Sequence, residues 1–152
     1  MTLVIGIGNP DRGDDAAGLA VARRVREATA AARCEVTVVE LAGDQLALLD
    51  AWDGEKEVYA VDAVWSGATP GTVFRFDAAR PLGVRFAGRG THTFSLADVV
   101  ELARALGRLP ARLTGYGIEG AAFGFGAGLS PPVAAAAEAV AARLLGELEA
   151  GG

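Results

Sequence analysis

Short apolar strands alternate with amphipathic helices along most of this chain, and this alternation is the feature that most constrains its fold. Five segments have the apolar or alternating pattern of β-strands: 2–8, 35–40, 57–62, 72–77 and 111–118. Helical spacing in the intervening segments predicts a three-layer α/β/α fold with a five-stranded, mostly parallel twisted sheet. The alternation in 72–77 is typical of an edge strand, which we expect to be antiparallel. No repeat or linker interrupts the pattern, so residues 1–152 are predicted to form one domain.

Capping residues and helical spacing place four helices: 15–31, 44–52, one opened by Ser95 and Asp98, and one opened by Ser130 and Pro131. Asp44 is the predicted cap of the second helix. The predicted core face of the third helix is Val99, Leu102, Ala103 and Leu106. The predicted core face of the last helix is Val133, Ala137, Val140, Leu144 and Leu148.

Composition excludes several classes of protein. The formal net charge is −5, which gives no support to binding of nucleic acid or anionic membranes. No apolar run is long enough to span a membrane, and no targeting segment is visible. The single cysteine, Cys34, rules out an intrachain disulfide, and we expect its side chain to lie in the core. We therefore expect a cytoplasmic monomer, with any metal site rich in carboxylates.

The opening segment Gly6-Ile7-Gly8-Asn9-Pro10-Asp11 is similar to the start of a dinucleotide-binding fingerprint. Glu40 lies at the end of the second strand, where a ribose-binding acid would stand. However, Asp11 occupies the third glycine position, and Asp14 and Asp15 follow it. Three carboxylates there would repel a pyrophosphate, so the pattern disfavours nucleotide binding.

The same carboxylates favour a cation. One acid is needed to cap the following helix, and we assign that task to Asp14. Asp15 is then free to point into the cleft that open α/β sheets form at the carboxyl ends of their strands. Asp62 follows the buried third strand at the same edge. From spacing alone, Asp62 is either a functional residue or an anchor for the backbone N–H groups of residues 64–67.

His92 is the only histidine of the chain and precedes the third helix. The dipole at a helix N-terminus disfavours imidazolium, and a neutral imidazole binds metal. Asp15, Asp62 and His92 come from three strand-end loops at one edge. Two carboxylates and one imidazole suit a borderline divalent metal with open coordination positions.

The motif Gly6-x-Gly8-Asn9-Pro10-x-Arg12-Gly13-Asp14-Asp15 resembles the opening of the hydrogenase maturation proteases. These endopeptidases remove the C-terminal extension of the nickel–iron hydrogenase large subunit. Further similar segments follow in order along nearly the whole chain: Leu41-Ala42-Gly43, Val61-Asp62-Ala63, Pro70-Gly71-Thr72-Val73, Thr91-His92 and Gly128-Leu129-Ser130-Pro131. The segment 80–90 matches nothing in the family pattern.

The resemblance implies that Asp15, Asp62 and His92 are both the metal ligands and the catalytic residues. Asp15 stands where the family often has glutamate. We assign Asn9 and Asp14 of the same motif to substrate binding. The resemblance further implies that no cofactor is held permanently: the nickel belongs to the hydrogenase large-subunit precursor, which is the expected partner.

Two other functions compete with this one. The peptidyl-tRNA hydrolases also open with Gly-x-Gly-Asn-Pro, but this chain has no histidine before His92, and its acidic charge suits tRNA poorly. The second alternative is a non-catalytic relative that binds a metallocluster precursor without cutting it. Competent side chains at all three ligand positions argue against that loss of activity.

Overall fold

The computed structural model describes residues 2–78 and 96–151, with backbone only at Gly151. Five strands form one sheet: β1 Thr2–Ile7, β2 Val36–Leu41, β3 Glu57–Val64, β4 Val73–Asp77 and β5 Arg112–Glu119. The described residues also form four α-helices: α1 Ala17–Ala32, α2 Gln45–Trp52, α3 Leu96–Leu106 and α4 Pro131–Gly151. A 3-10 turn, Gly13–Ala16, precedes α1.

The strand order is β2-β1-β3-β5-β4, and only β4 runs antiparallel to its neighbour. The predicted α/β architecture, with its antiparallel strand at one edge, is therefore confirmed. Because β1, β2, β3 and β5 are parallel, their carboxyl ends lie at the same edge of the sheet.

Alternating side chains of the strands enter two separate cores, as the period-2 pattern of a sheet covered on both faces requires. In β1, Leu3 and Ile5 face the core that α2 and α3 cover, whereas Val4 faces the core beneath α1 and α4. Trp52 of α2 fills the first core, and Tyr116 of β5 lies in the second.

Several expectations for the helices are confirmed. Asp44 caps α2, accepting a hydrogen bond from the backbone N–H of Leu46 at 3.0 Å. The predicted core face of α4 packs inside, with Leu148 at its partly buried end.

No helix within residues 2–78 and 96–151 combines the length and apolar character needed to cross a membrane.

Other expectations were wrong. Leu106 lies at the end of α3 and is 55% exposed, so the buried face of that helix ends one turn earlier, at Ala103. Cys34 is exposed in the connection that leads into β2 and takes no part in the core. The predicted capping pair of Ser95 and Asp98 stays a prediction, because Ser95 lies outside the described residues.

Candidate functional site

Three loops meet at the carboxyl edge of the sheet. The first follows β1 and includes the 3-10 turn, the second connects β3 to β4 across residues 65–72, and the third connects β5 to α4 across residues 120–130. Each loop leaves the end of a parallel strand, where open α/β folds place their ligand sites.

Asp62 lies two residues before the end of β3 rather than at the end of the strand, as predicted from residues 57–62. The strand extends to Val64 because β5 continues alongside it to Glu119, and Asp62 pairs with Gly117. Its partly buried side chain lines a small cavity whose other walls include Phe76 and Leu96. The acid therefore stands against mostly apolar surroundings at the carboxyl edge.

Asp15 approaches Asp62 closely enough to change its ionisation. Burial raises the pKa of Asp62 to about 8, and the negative charge of Asp15 adds to this rise. Hydrogen bonds from the backbone of Ala63 and Leu96 only partly offset it. At neutral pH, Asp62 is thus mostly protonated beside Asp15. Two carboxylates whose charges act on each other in this way favour the binding of a cation.

The close approach depends on two glycines of the opening segment. A Cβ on Gly8 would collide with the backbone carbonyl of Asp15, and a Cβ on Gly18 would collide with the carbonyl of Val61. The 3-10 turn and the start of α1 can therefore lie directly against the sheet. In this chain the glycines bring Asp15 towards β3.

The nucleotide alternative finds no support in these contacts. Glu40, its proposed ribose-binding acid, forms ion pairs with Arg23 at 3.0 Å and Arg26 at 2.7 Å. These hydrogen bonds and charges, led by the bond from Arg26, lower the pKa of Glu40. Glu40 therefore ties β2 to α1.

Asp14 does not cap the first helix, contrary to the prediction. Its carboxylate is fully buried and accepts backbone hydrogen bonds from Ala121 (2.7 Å), Ala122 (3.0 Å) and Ser130 (2.7 Å). The hydroxyl of Ser130 donates a fourth bond at 2.8 Å, so this predicted helix cap is itself a donor to Asp14. Burial opposes ionisation of Asp14, but these hydrogen bonds outweigh it and lower its pKa.

Asp14 therefore holds the loop of residues 120–130 against the opening segment. The backbone N–H of Asp14 donates to the carbonyl of Ala122 at 2.8 Å, and that of Gly126 donates to Asp11 at 3.0 Å. Substrate binding by Asp14 stays a prediction; the contacts described give this acid the task of positioning the loop.

Asn9 shapes the same turn from its other side. Its side-chain oxygen accepts the backbone N–H of Asp11 at 2.9 Å, the pattern of an Asx turn. Its backbone N–H donates to Oδ2 of Asp15 at 2.8 Å, which orients that carboxylate. Its assignment to substrate binding also stays a prediction.

His92 and the segment 80–90 lie outside the described residues, so the third predicted ligand stays a prediction. Within residues 2–78 and 96–151, no three side chains of His, Cys, Asp or Glu gather as a metal-binding group. Asp15 and Asp62 are the two members of the predicted triad within the described residues, and the charge of Asp15 acts on the carboxyl group of Asp62.

Glu119 is an important residue that the sequence reasoning missed. It is 1% exposed at the end of β5, and its carboxylate accepts hydrogen bonds from the backbone N–H (2.9 Å) and the hydroxyl of Ser66. Its backbone also bonds to Gly71 and Thr72. Glu119 thereby fixes the loop of residues 65–72. The signal was present in the sequence, since Glu119, like Asp62, is an acid ending an apolar strand.

Comparison with known families and structures identifies the relatives of this fold. The family model described as HycI, hydrogenase maturation protease, matches residues 19–147. This chain belongs to the hydrogenase maturation protease family. It is accordingly a hydrolase, an endopeptidase of hydrogenase maturation. The matched residues include Asp62 and His92, whereas Asp15 precedes them.

Solved structures of hydrogenase maturation proteases are similar over almost the entire chain. The hydrogenase maturating endopeptidase HybD from E. coli shares 23% identity with a TM-score of 0.70, covering 99% of this chain and 93% of that one. An endopeptidase from Escherichia coli shares 26% identity with a TM-score of 0.72 and the same coverage. The [NiFe] hydrogenase maturation protease HycI from Thermococcus kodakarensis shares 25% identity with a TM-score of 0.66, covering 97% and 90%. No curated protein sequence matches the chain.

Proposed function

We propose that this protease removes the C-terminal extension of a nickel–iron hydrogenase large-subunit precursor, and that it acts after nickel has been inserted. The nickel is part of the substrate, and Asp15, Asp62 and His92 are its proposed ligands on the protease. The observation that carries the proposal is the close approach of Asp15 and Asp62 at the carboxyl edge of the sheet, in a chain of the hydrogenase maturation protease family.

The electrostatics of the acidic pair support recognition of a cation. A neighbouring carboxylate and burial both disfavour the charged form of Asp62. A divalent cation supplied by the substrate would favour the ionised form of both carboxylates, and it would therefore lower the pKa of Asp62 again. Oxygen ligands and a single imidazole form an incomplete coordination sphere, which suits transient recognition of a metal held mainly by another protein.

The same pair can supply the acid–base chemistry of peptide cleavage. Asp15, oriented by the backbone N–H of Asn9, is the better placed of the two to accept a proton from an attacking water. Asp15 would then return this proton to the leaving amine, while Asp62, ionised beside the substrate's nickel, would remain a ligand. This division of roles between two carboxylates would make the enzyme an aspartic-type protease, and it would activate the hydrogenase by completing its maturation.

The decisive experiment compares nickel-loaded and nickel-free forms of one large-subunit precursor. Protease dialysed against a chelator should cut the loaded form and leave the nickel-free form intact. Asp62→Asn and His92→Ala should each abolish cutting, whereas Asp50→Asn, at a side chain that is 80% exposed, should cut at the normal rate. Cutting of the nickel-free precursor would overturn nickel recognition. Binding of the loaded precursor without any cutting would favour the non-catalytic alternative.

A further inference from the structure

Exposed aromatic side chains lie in the loops that follow β3 and β5 at the carboxyl edge of the sheet. Trp65 is 50% exposed and follows Asp62 by three residues, and Phe125 is 73% exposed in the loop of residues 120–130. Phe123 of that loop packs against Trp65, with ring centroids 5.8 Å apart. We call Trp65, Phe123 and Phe125 the aromatic patch. Phe123 is partly buried, so Trp65 and Phe125 supply the exposed aromatic surface, and large exposed aromatic side chains are typical of sites that bind a partner.

Buried carboxylates hold both loops that carry the aromatic patch. Glu119 bonds to Ser66, the residue next to Trp65. Asp14 bonds to Ala121, Ala122 and Ser130 on either side of the phenylalanines. Hydrogen bonds to buried charges are among the stronger ones in proteins, so the patch is held in place before a partner arrives. Such preorganisation lowers the entropic cost of binding.

The side chain of Arg12 adds a positive charge beside the aromatic patch. The guanidinium of Arg12 lies 4.6 Å from the ring centroid of Phe125, in a cation–π contact. Most arginines in the described part of the chain form ion pairs with acids of the same part, but Arg12 forms none there. Its charge is therefore available to a carboxylate from outside. Apolar rings with an adjacent cation are complementary to a peptide that carries an apolar and an acidic side chain.

We propose that the aromatic patch and Arg12 bind the precursor polypeptide beside the peptide bond that is cut, taking an apolar side chain on the rings and an acidic side chain at Arg12. The inference rests on the proposed precursor substrate and adds a docking site to it. The position supports this partner, because Asp14 and Asp15 are adjacent in one turn. Asp14 holds the loop of the phenylalanines, while the charge of Asp15 acts on Asp62. A polypeptide whose cleavage point lies at the acidic pair would pass over the patch.

The test measures KM and kcat for a nickel-loaded precursor with Trp65→Ala, Phe125→Ala and Arg12→Ala. Each aromatic variant should raise KM about tenfold and leave kcat within about twofold, because the lost contacts bind substrate and transition state equally. Arg12→Ala should raise KM mainly at low salt. Trp65→Phe should restore most of the affinity. Leu46→Ala and Leu106→Ala are matched controls at exposed apolar residues elsewhere, and both should behave as the unmodified enzyme.

Direct binding separates this inference from the proposed function. In an Asp62→Asn background, which prevents cutting, Phe125→Ala and Trp65→Ala should weaken capture of the same precursor about tenfold. If the Asp62→Asn protein and both of its double variants captured the precursor equally well, the docking site would be overturned, even if the unmodified enzyme processed the precursor normally. Patch-dependent capture in this background, together with no cutting of the precursor by enzyme that retains Asp62, would instead overturn the proteolytic step alone. Melting temperatures within about 2 °C of the parent would confirm that each variant is folded.

Discussion

Asp14 and Ser130, separated by 116 residues in the chain, are joined by two hydrogen bonds: Oδ1 of Asp14 accepts the backbone N–H at 2.7 Å, and Oδ2 accepts the hydroxyl at 2.8 Å. Together with the bonds from Ala121 and Ala122, they close the carboxyl edge of the sheet between its first loop and its last. The carboxylate of the adjacent residue, Asp15, instead accepts the backbone N–H of Asn9 at 2.8 Å, and its charge acts on Asp62.

Asp14→Asn should destabilise the protein strongly. The amide replaces one acceptor oxygen by a donor that faces other donors, and it removes the charge that strengthens four hydrogen bonds. We expect a loss of about 3 kcal/mol, which lowers the melting temperature by roughly 6–12 °C in a domain of this size. Thermal unfolding followed by circular dichroism measures the change. Asp11→Asn, at an exposed acid of the same loop, is the control and should shift it by less than about 2 °C.

The stabilisation by Asp14 should depend on pH in a defined direction. The pKa of Asp14 is lowered in the folded state, so its contribution to stability is complete above the ordinary aspartate pKa of 3.8 and is lost as pH falls through the folded pKa. The stability difference between parent and Asp14→Asn should therefore shrink in strong acid. A difference that stayed constant between pH 7 and pH 2 would show that ionisation of Asp14 does not stabilise the fold.

Asp62→Asn should stabilise the protein while abolishing processing. The pKa of Asp62 is raised to about 8 in the folded state, so between about pH 4 and pH 8 the folded protein holds a proton that the unfolded chain releases. Its contribution to the free energy of unfolding then falls by at most about 1.4 kcal/mol per pH unit as pH rises through this range. Urea unfolding at pH 5, 6.5 and 8.5 should show this slope in the parent and a shallower one in the variant. A variant less stable than the parent at pH 8 would indicate that the carboxylate anchors its loop.

Glu119→Gln tests the second buried carboxylate. The amide loses a charge-assisted bond to the backbone N–H of Ser66, at a cost of about 1.5–3 kcal/mol. Because Ser66 adjoins Trp65, we also expect a higher KM for the precursor. Unfolding curves and steady-state kinetics measure the two effects. Glu138→Gln, at a side chain that is 73% exposed, is the control and should change neither the stability nor the KM. If Glu119→Gln lowered the stability but left the KM unaltered, Glu119 would hold its loop without contributing to docking of the precursor.

The isolated protease should bind nickel weakly and keep its fold without it. Asp15, Asp62 and His92 leave the coordination sphere unfinished, and the two cores described above are built from apolar side chains. Titration calorimetry should show weak binding that His92→Ala removes, with the same melting temperature before and after chelation. Processing of a nickel-loaded precursor should slow below about pH 6, where the imidazole protonates. Retained rate at pH 5 would argue against imidazole ligation.

The amino-acid sequence by itself determined the architecture. The period-2 apolar pattern of the strands and the helical spacing between them are local properties of the sequence. Both are found in the structure, because each pattern matches the face of the element that is buried. The placement of Asp62 at the carboxyl edge followed from the same pattern, although β3 runs two residues further than predicted because β5 continues beside it.

Tertiary structure alone decided which of two adjacent acids turns inward. Asp14 and Asp15 are chemically identical, but their surroundings differ. Asp14 is held by hydrogen-bond donors more than 100 residues away, whereas Asp15 interacts with the carboxyl group of Asp62 in another strand. Glu119 is buried for the same kind of reason, since Ser66 reaches it only after β3 and β5 have paired. Hydrogen bonds and charge interactions over such separations leave no periodic trace in the sequence, so only the assembled sheet edge reveals them.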